Sequence, residues 1–443
     1  MSKKFRDWLF ILFIALFVII TFFVSLYAVG YSIDRRWPPR FNQFFQKTGM
    51  LILDSEPTEA SIFLNGTKQR RSLFLDLGRN DITTPVKIKN LIPGEYTLRL
   101  EKEGYWPLEK KLQIYSGQTS FAEDLILFKR SLPMNLTLCA PQELFLSPDK
   151  KNLFLAGEGS IINLKTENVS PIKTSTTTSM QWSKDSSQIL LNGSLIDLEG
   201  KASGYDLSAI GQEAQDFYWD EADKKIYYRS GGNISCILTK QNTVSTILSG
   251  SDYSAYTVKN NLIYTVERQN GQYYLRVYNA SSAIRQSSQP LPAGDYVFYH
   301  DDYHLSLYDR KQESLYLLSE YTDQVIIKQI RPASAWQWLD KNRLIWHNEF
   351  EIYSLDINNN QQNLLIRVSE PITGFAWHRT KNYLLYASDT EIKIINLNLD
   401  KREPISLLQA NNIVDLALDE KNQLLYFYAQ IGQQGGIYKL QLQ

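Results

Sequence analysis

The chain is poor in the residues that build disulfide frameworks and metal centres. Its 443 residues include two cysteines, Cys139 and Cys236, and four histidines. Two thiols cannot form a disulfide framework or a cysteine-rich zinc site, and four imidazoles leave little for transition-metal chemistry. Net charge is also missing, since Lys plus Arg and Asp plus Glu both number 47. Such a balance gives no electrostatic reason to hold a polyanion, so no nucleic acid partner is expected. No GxxxxGK[ST] or GxGxxG phosphate loop occurs. No Gly-x-Ser-x-Gly elbow occurs either, nor an α/β pattern to carry one. No cofactor is expected, and no catalytic, cofactor-binding or metal-ligating residue is assigned.

What is abundant is aromatic: 27 Tyr, 20 Phe and 9 Trp make up 13% of the chain. Aromatic residues favour half-buried pleated surfaces, so the composition leans towards β. The exception is the stretch WLFILFIALFVIITFFVSLYAV from Trp8 to Val29, with no charge from Trp8 until Asp34. About 20 apolar residues in a helix cross a hydrocarbon core, and a core helix rarely stays apolar on every face for so long. Residues 8–30 therefore read as a transmembrane signal anchor behind a cytoplasmic tail, residues 1–7. Trp8 and then Tyr27, Tyr31 and Trp37 fit the two interfacial belts. A cleaved signal peptide is the rival, with Ala28-Val29-Gly30 as its small-residue site, but the apolar run exceeds the usual 7–15 residues. Lys3, Lys4 and Arg6 before the helix nearly balance Arg35, Arg36 and Arg40 after it. The short tail favours placing the bulk of the chain outside. Residues 31–48, with Pro38-Pro39, read as a short stiff spacer.

From Gly49 to about residue 130 the pattern changes to short apolar runs broken by turn residues. MLILDS, ASIFLN, PVKIKNL, YTLRLEKEGY, EKKLQIY and FAEDLILF are predicted strands, and PVKIKNL and YTLRLEK alternate in polarity. Pro93-Gly94 between them signals a type II turn with Gly94 at positive φ. This segment reads as a β-sandwich. Ser55, Pro57, Ala60, Gly66, Thr84-Pro85, Leu91, Pro93-Gly94, Tyr96 and Gly104-Tyr105 follow a pattern that resembles the PEGA domain. The resemblance implies a small β-sandwich of the kind found on prokaryotic surface and envelope proteins, with no catalytic residues. Glu59 stands where that family has Gly, so the first turn is expected to differ. The connection 67–81 is longer than usual and carries its own apolar run, SLFLDL.

Residues 135–443 repeat. Each unit is an aromatic-containing strand, a turn rich in Asp, Lys and Asn, an apolar strand, a gap and a further strand. Clear copies start at Met180, Phe217, Trp336 and Phe375, and weaker ones at Leu144, Tyr256, Val297 and Leu416. About eight units at a period near 40 match four-stranded propeller blades. A closed ring buries each blade against its neighbours, which puts Trp182, Trp219, Trp338 and Trp377 between blades. SPDKKNLFLA from Ser147 and SKDSSQILLN from Ser183 resemble the WD40-like, Tol-type propeller repeat, though only Ser147-Pro148-Asp149 keeps its Ser-Pro-Asp. The expected class is thus all-β, with a seven- or eight-bladed propeller. A β-solenoid or two sandwiches are the alternatives. Cys139 and Cys236, in the first and third units, should stay unpaired because disulfide Cα atoms must lie within about 7 Å.

His300-Asp301-Asp302-Tyr303-His304 is the one dense run of ligand-type residues, and two imidazoles with a carboxylate can hold a metal. It falls at the polar turn of a repeat, where a solvated turn explains it better. His347 lies in a strand and His378 begins a turn, with no acid or nucleophile nearby in sequence. Asp149, Asp185, Asp220, Asp223 and Asp340 recur at one turn position, as local hydrogen bonding requires. The Asn-x-Ser/Thr triplets at Asn65, Asn135, Asn168, Asn192, Asn233 and Asn279 are acceptors only in a glycosylating host. TSTTTS, 174–179, reads as a loop. The expected function is binding, of an envelope protein or a cell-surface polymer, by a single-pass, non-enzymatic membrane protein. The alternative is a propeller hydrolase or lyase acting on envelope glycan or peptide.

Overall fold

The structure is a computed structural model that describes all residues except 1–2, 29–30, 34–44, 72–79, 140–142, 173–179, 199–201, 207–213, 221–224, 239–242, 251, 301–302, 320–324 and 400–401. One α-helix, Lys3–Ala28, opens the chain. Its Trp8–Leu26 window has a mean hydropathy of 3.1 and none of it is buried against the rest of the protein. Length and apolarity suffice to cross a membrane. Tyr31–Ile33 pairs antiparallel with Phe45–Lys47, Tyr31 opposite Lys47, so the two ends of the spacer come back together. The Pro38-Pro39 pair and Trp37 fall outside the described residues.

The six strands expected after the spacer all form, and they build two sheets. Gly49–Glu56 lies between Val86–Leu91, antiparallel, and Thr119–Ile126, parallel. Gly94–Glu101 lies between Leu108–Ile114 and Ser61–Leu64, with Thr67–Lys68 beyond. Leu51, Leu53, Ile62, Leu98, Leu100 and Ile114 are fully buried between the sheets. Pro93-Gly94 thus carries the chain from one sheet to the other rather than closing a hairpin. Gly94 has φ +151°, near the extended region and far from the value of about +80° that a type II turn needs. Glu59 takes φ +64°, the left-handed conformation a glycine adopts freely. The motif residues knot the first turn. The hydroxyls of Ser55 and Thr84 lie 2.5 Å apart, Ala60 N–H donates to Thr84 Oγ1 at 3.1 Å, and Glu59 N–H donates to the Thr84 carbonyl at 2.7 Å. The SLFLDL run lies outside the described residues.

From Met134 to Gln441 the described residues form eight four-stranded antiparallel sheets. We number them I to VIII by their first strands: Glu143–Leu146, Met180–Trp182, Ala214–Asp220, Asp252–Lys259, Tyr296–His300, Ala335–Trp338, Gly374–His378 and Asn411–Asp419. Sheets I to VII are simple meanders. Sheet VIII takes its fourth strand from the other end of the chain: Met134–Thr137 pairs with Gln434–Gln441. First strands touch between sheets III and IV, IV and V, VI and VII, VII and VIII, and VIII and I. Between the other neighbours side chains bridge: Trp182 Nε1 donates to the Phe145 carbonyl, Gln181 bonds the Trp219 backbone, and the rings of Tyr299 and Trp336 lie 5.1 Å apart. Sheet VIII meets sheet I, where Leu144 N–H donates to Asp415 Oδ2 at 2.9 Å. The succession therefore closes on itself as a β-propeller, with first strands at the centre and fourth strands outside. The repeat pattern had implied this ring, and the strand pairing delivers it instead of a solenoid or two sandwiches.

The sandwich and the ring share a core. Ile126 and Phe128, at the end of the last sandwich strand, are buried against Tyr383, Leu385, Ile394 and Leu442. Phe128 meets Tyr383 edge-on at 5.2 Å. Lys129 N–H donates to the Leu442 carbonyl, and Lys381 Nζ reaches Glu56 at 2.7 Å. Arg130 stacks on Trp106 at 4.4 Å. The chain passes from one domain to the other with no free linker.

Candidate binding site at the centre of the ring

Strand register defines equivalent positions around the ring. Leu146, Trp182, Trp219, Val258, His300, Trp338, Trp377 and Leu418 pair respectively with Leu153, Ile189, Ile226, Ile263, Leu305, Leu344, Leu384 and Leu425. All eight partners are buried. The tryptophans at this position pack on the preceding sheet, as the repeat pattern implied: Trp338 joins Leu315 and Leu317 of sheet V, and Trp377 joins Ile345 and Ile352 of sheet VI. His300 takes the same place in sheet V. Its imidazole stacks on Tyr218 of sheet III at 4.5 Å, Tyr218 Oη lies 3.2 Å from Nδ1, and Nε2 bonds the Thr257 hydroxyl of sheet IV. The residue as a whole is exposed. Desolvation by the surrounding protein, with Lys259 adding repulsion, pushes its pKa down to about 4.

His304 points the other way, over Trp338 at 4.0 Å, with Nε2 2.6 Å from the Lys341 carbonyl. The two imidazoles thus serve different sheet boundaries and do not converge. Asp301 and Asp302 lie outside the described residues, and among the described ones no group of three or more His, Cys, Asp or Glu is placed to hold a metal. His347 is buried, Nδ1 2.8 Å from the Asn348 carbonyl. His378 does meet an acid the linear sequence hid: Glu420, on sheet VIII, lies 3.8 Å from Nδ1 while its carbonyl lies 3.1 Å from Nε2. Burial still lowers the pKa of both. Cys139 and Cys236 are both free thiols.

The turn aspartates do the local work expected of them. Asp185 accepts from Ser187 N–H at 3.0 Å and from the Ser183 hydroxyl at 2.7 Å, which holds its carboxyl below the usual range. Asp149 and Asp340 bond their own turns in the same way, Asp220 ends a first strand, and Asp223 and the TSTTTS loop lie outside the described residues. Asn65 and Asn192 both precede Gly and take positive φ, as tight turns require.

One position before the His300 equivalents, side chains point towards the next sheet. Tyr299 here is 41% exposed and packs on Trp336, which also meets Tyr308 at 5.2 Å. At the turn end of these strands, Arg379 spans from sheet VII to Tyr303 of sheet V, Nη1 to Oη 3.4 Å, and is held by Glu420 at 3.1 Å. Aromatics and an arginine therefore gather where several sheets meet. Towards the start of the strands, Glu143 and Asp415 both have raised pKa values. Burial is the main cause in each, and the Asp415 charge adds to it at Glu143 while Arg310 opposes it. Neither carboxylate carried a sequence signal, because Asp415 sits in an irregular stretch of its strand with φ +55°.

Residues 48–123 match the PEGA domain family. No curated protein matches the chain. Among solved structures, the C-terminal WD40 domain of Sif2 is similar at 12% identity and TM-score 0.49, covering 70% of this chain and 99% of that one. The Dos1 propeller is similar at 13% identity and 0.48, covering 70% and 94%. Dihydro-heme d1 dehydrogenase NirN in complex with DHE is similar at 12% and 0.45, covering 68% and 73%. The chain thus joins a segment that matches the PEGA domain to a β-propeller, the ring resting on the strand pairing above.

Proposed function

We propose that this protein is a membrane-anchored, extracytoplasmic binding scaffold of the cell envelope, whose ring holds another protein or a cell-surface polymer. The observation that carries the reading is the partly open aromatic wall around Tyr218, Tyr299 and Trp336, with Arg379 at its rim. Aromatic residues and Arg are the types that anchor interfaces. The apolar helix Lys3–Ala28 supports anchorage in a membrane. The test is a pull-down of envelope extract on the detergent-solubilised full chain, beside a hydrolase screen on glycans and peptides. Specific capture that weakens at least tenfold in Trp336→Ala, without turnover, is expected.

A second reading rests on one observation, the two carboxyls of raised pKa at Glu143 and Asp415. Raised carboxyl pKa values suit general acids, so a hydrolase or lyase acting on envelope glycan or peptide would work there. Turnover abolished by Glu143→Gln or Asp415→Asn would promote that reading over binding.

A further inference from the structure

Sandwich and ring together enclose a cleft of about 360 Å³ that neither forms alone. Its apolar surface comes from Leu108, Ile126 and Phe128 of the sandwich side and Leu399 and Ile405 of sheet VII. Two strands at this cleft are sheet edges. Leu108–Ile114 pairs only with Gly94–Glu101, and Ile405–Gln409 is the outermost strand of its sheet, among the described residues. An open edge presents unpaired backbone N–H and C=O groups and is a template for another strand.

A second observation points to a ligand. Asn396 lines the cleft and is 5% exposed, and its Nδ2 has no hydrogen-bond partner. Its Oδ1 is engaged, accepting from Asn398 N–H at 2.9 Å. A buried donor left unmade costs free energy, about 1–3 kcal/mol in general, so a carbonyl oxygen is the group this corner lacks. Arg99, Lys110 and Lys111 stand on the rim with Glu109 and Glu403; Arg99 is paired with Glu101 at 2.6 Å and Lys111 with Glu95 at 2.8 Å, so the rim carries no surplus positive charge. We propose that the cleft takes an uncharged extended peptide segment that adds as a strand to Leu108–Ile114, gives a carbonyl to Asn396 and fills the floor with an apolar side chain. This rests on the binding-scaffold reading and names a partner class and a place for it.

The probe is a fluorescein-labelled peptide, Ser-Val-Thr-Phe-Thr-Val, titrated by anisotropy onto the full chain in detergent. It should bind, and the version with Ser in place of Phe should bind at least tenfold more weakly. Asn396→Asp, which keeps the Oδ1 acceptor but removes the donor, and Ile405→Trp, which fills the cleft, should each weaken the probe at least tenfold with the far-UV circular dichroism unchanged. Amide exchange of 108–114 should slow when the probe is bound. No binding, or binding with unaltered exchange at 108–114 and equal affinity in both variants, would overturn the proposal. If envelope capture persists while the probe fails, the cleft alone falls. If capture fails as well, the scaffold reading falls with it.

Discussion

Glu59 and His300 each occupy a place where the surrounding pattern asks for something else. A left-handed backbone costs a non-glycine residue about 1–2 kcal/mol, while glycine loses about 0.5–1 kcal/mol more chain entropy on folding. The Lys102–Glu59 contact, 3.5 Å apart with Glu59 largely exposed, adds little. Glu59→Gly should therefore leave stability unchanged or raise it by up to about 1 kcal/mol, read as the urea midpoint. A loss would mean that the Glu side chain holds the turn. For His300, the folded pKa of about 4 lies below its ordinary 6.5. Between those values the unfolded chain binds more protons, so the stability His300 contributes is present above about pH 6.5 and drains away as pH falls towards 4. His300→Phe should flatten the fall in melting temperature over that window. An unchanged slope would show that the imidazole is not desolvated.

At the scale of elements, the sequence was most legible where polarity alternates. All six sandwich strands and the tryptophan position of four sheets could be read from it. Which strands pair was not legible: alternation tells which face is buried, and says nothing of the partner, so Val86–Leu91 and Gly94–Glu101 fall in different sheets despite the turn between them. The equivalence of His300 with the tryptophans needed the register of strand pairing, since an imidazole carries no repeat signature. The closing strand Met134–Thr137 was hidden for the same reason, its partner lying some 300 residues on. Its seat depends on Gly436, where an added Cβ would stand 2.5 Å from the Thr137 carbonyl and 2.7 Å from Asn135 Nδ2. Gly436→Val should push the strand off its partner at a cost of about 1–3 kcal/mol, and amide exchange of residues 134–137 should quicken more than that of sheet IV. Equal quickening in both would mean that the ring is not held at this seam.

Over the whole molecule, an apolar helix precedes a sandwich and a ring that share a core among the described residues. Phe128 and Ile126 tie the segment that matches the PEGA domain into the ring's core, and the two ends of the spacer pair with each other. A helix held by apolar burial resists salt and alkali, so the protein should remain in the membrane pellet after carbonate washing. A soluble chain beginning near Tyr31 would show that the helix is a cleaved signal. The ring's aromatic centre is where a partner should engage. A photoreactive residue placed at Tyr299 of the full chain in intact membranes reads this out, with Ile327 on the outer strand of the same sheet as control. One discrete, recurring adduct from position 299 and none from 327 is predicted; adducts from 327 alone, or from neither, would contradict it.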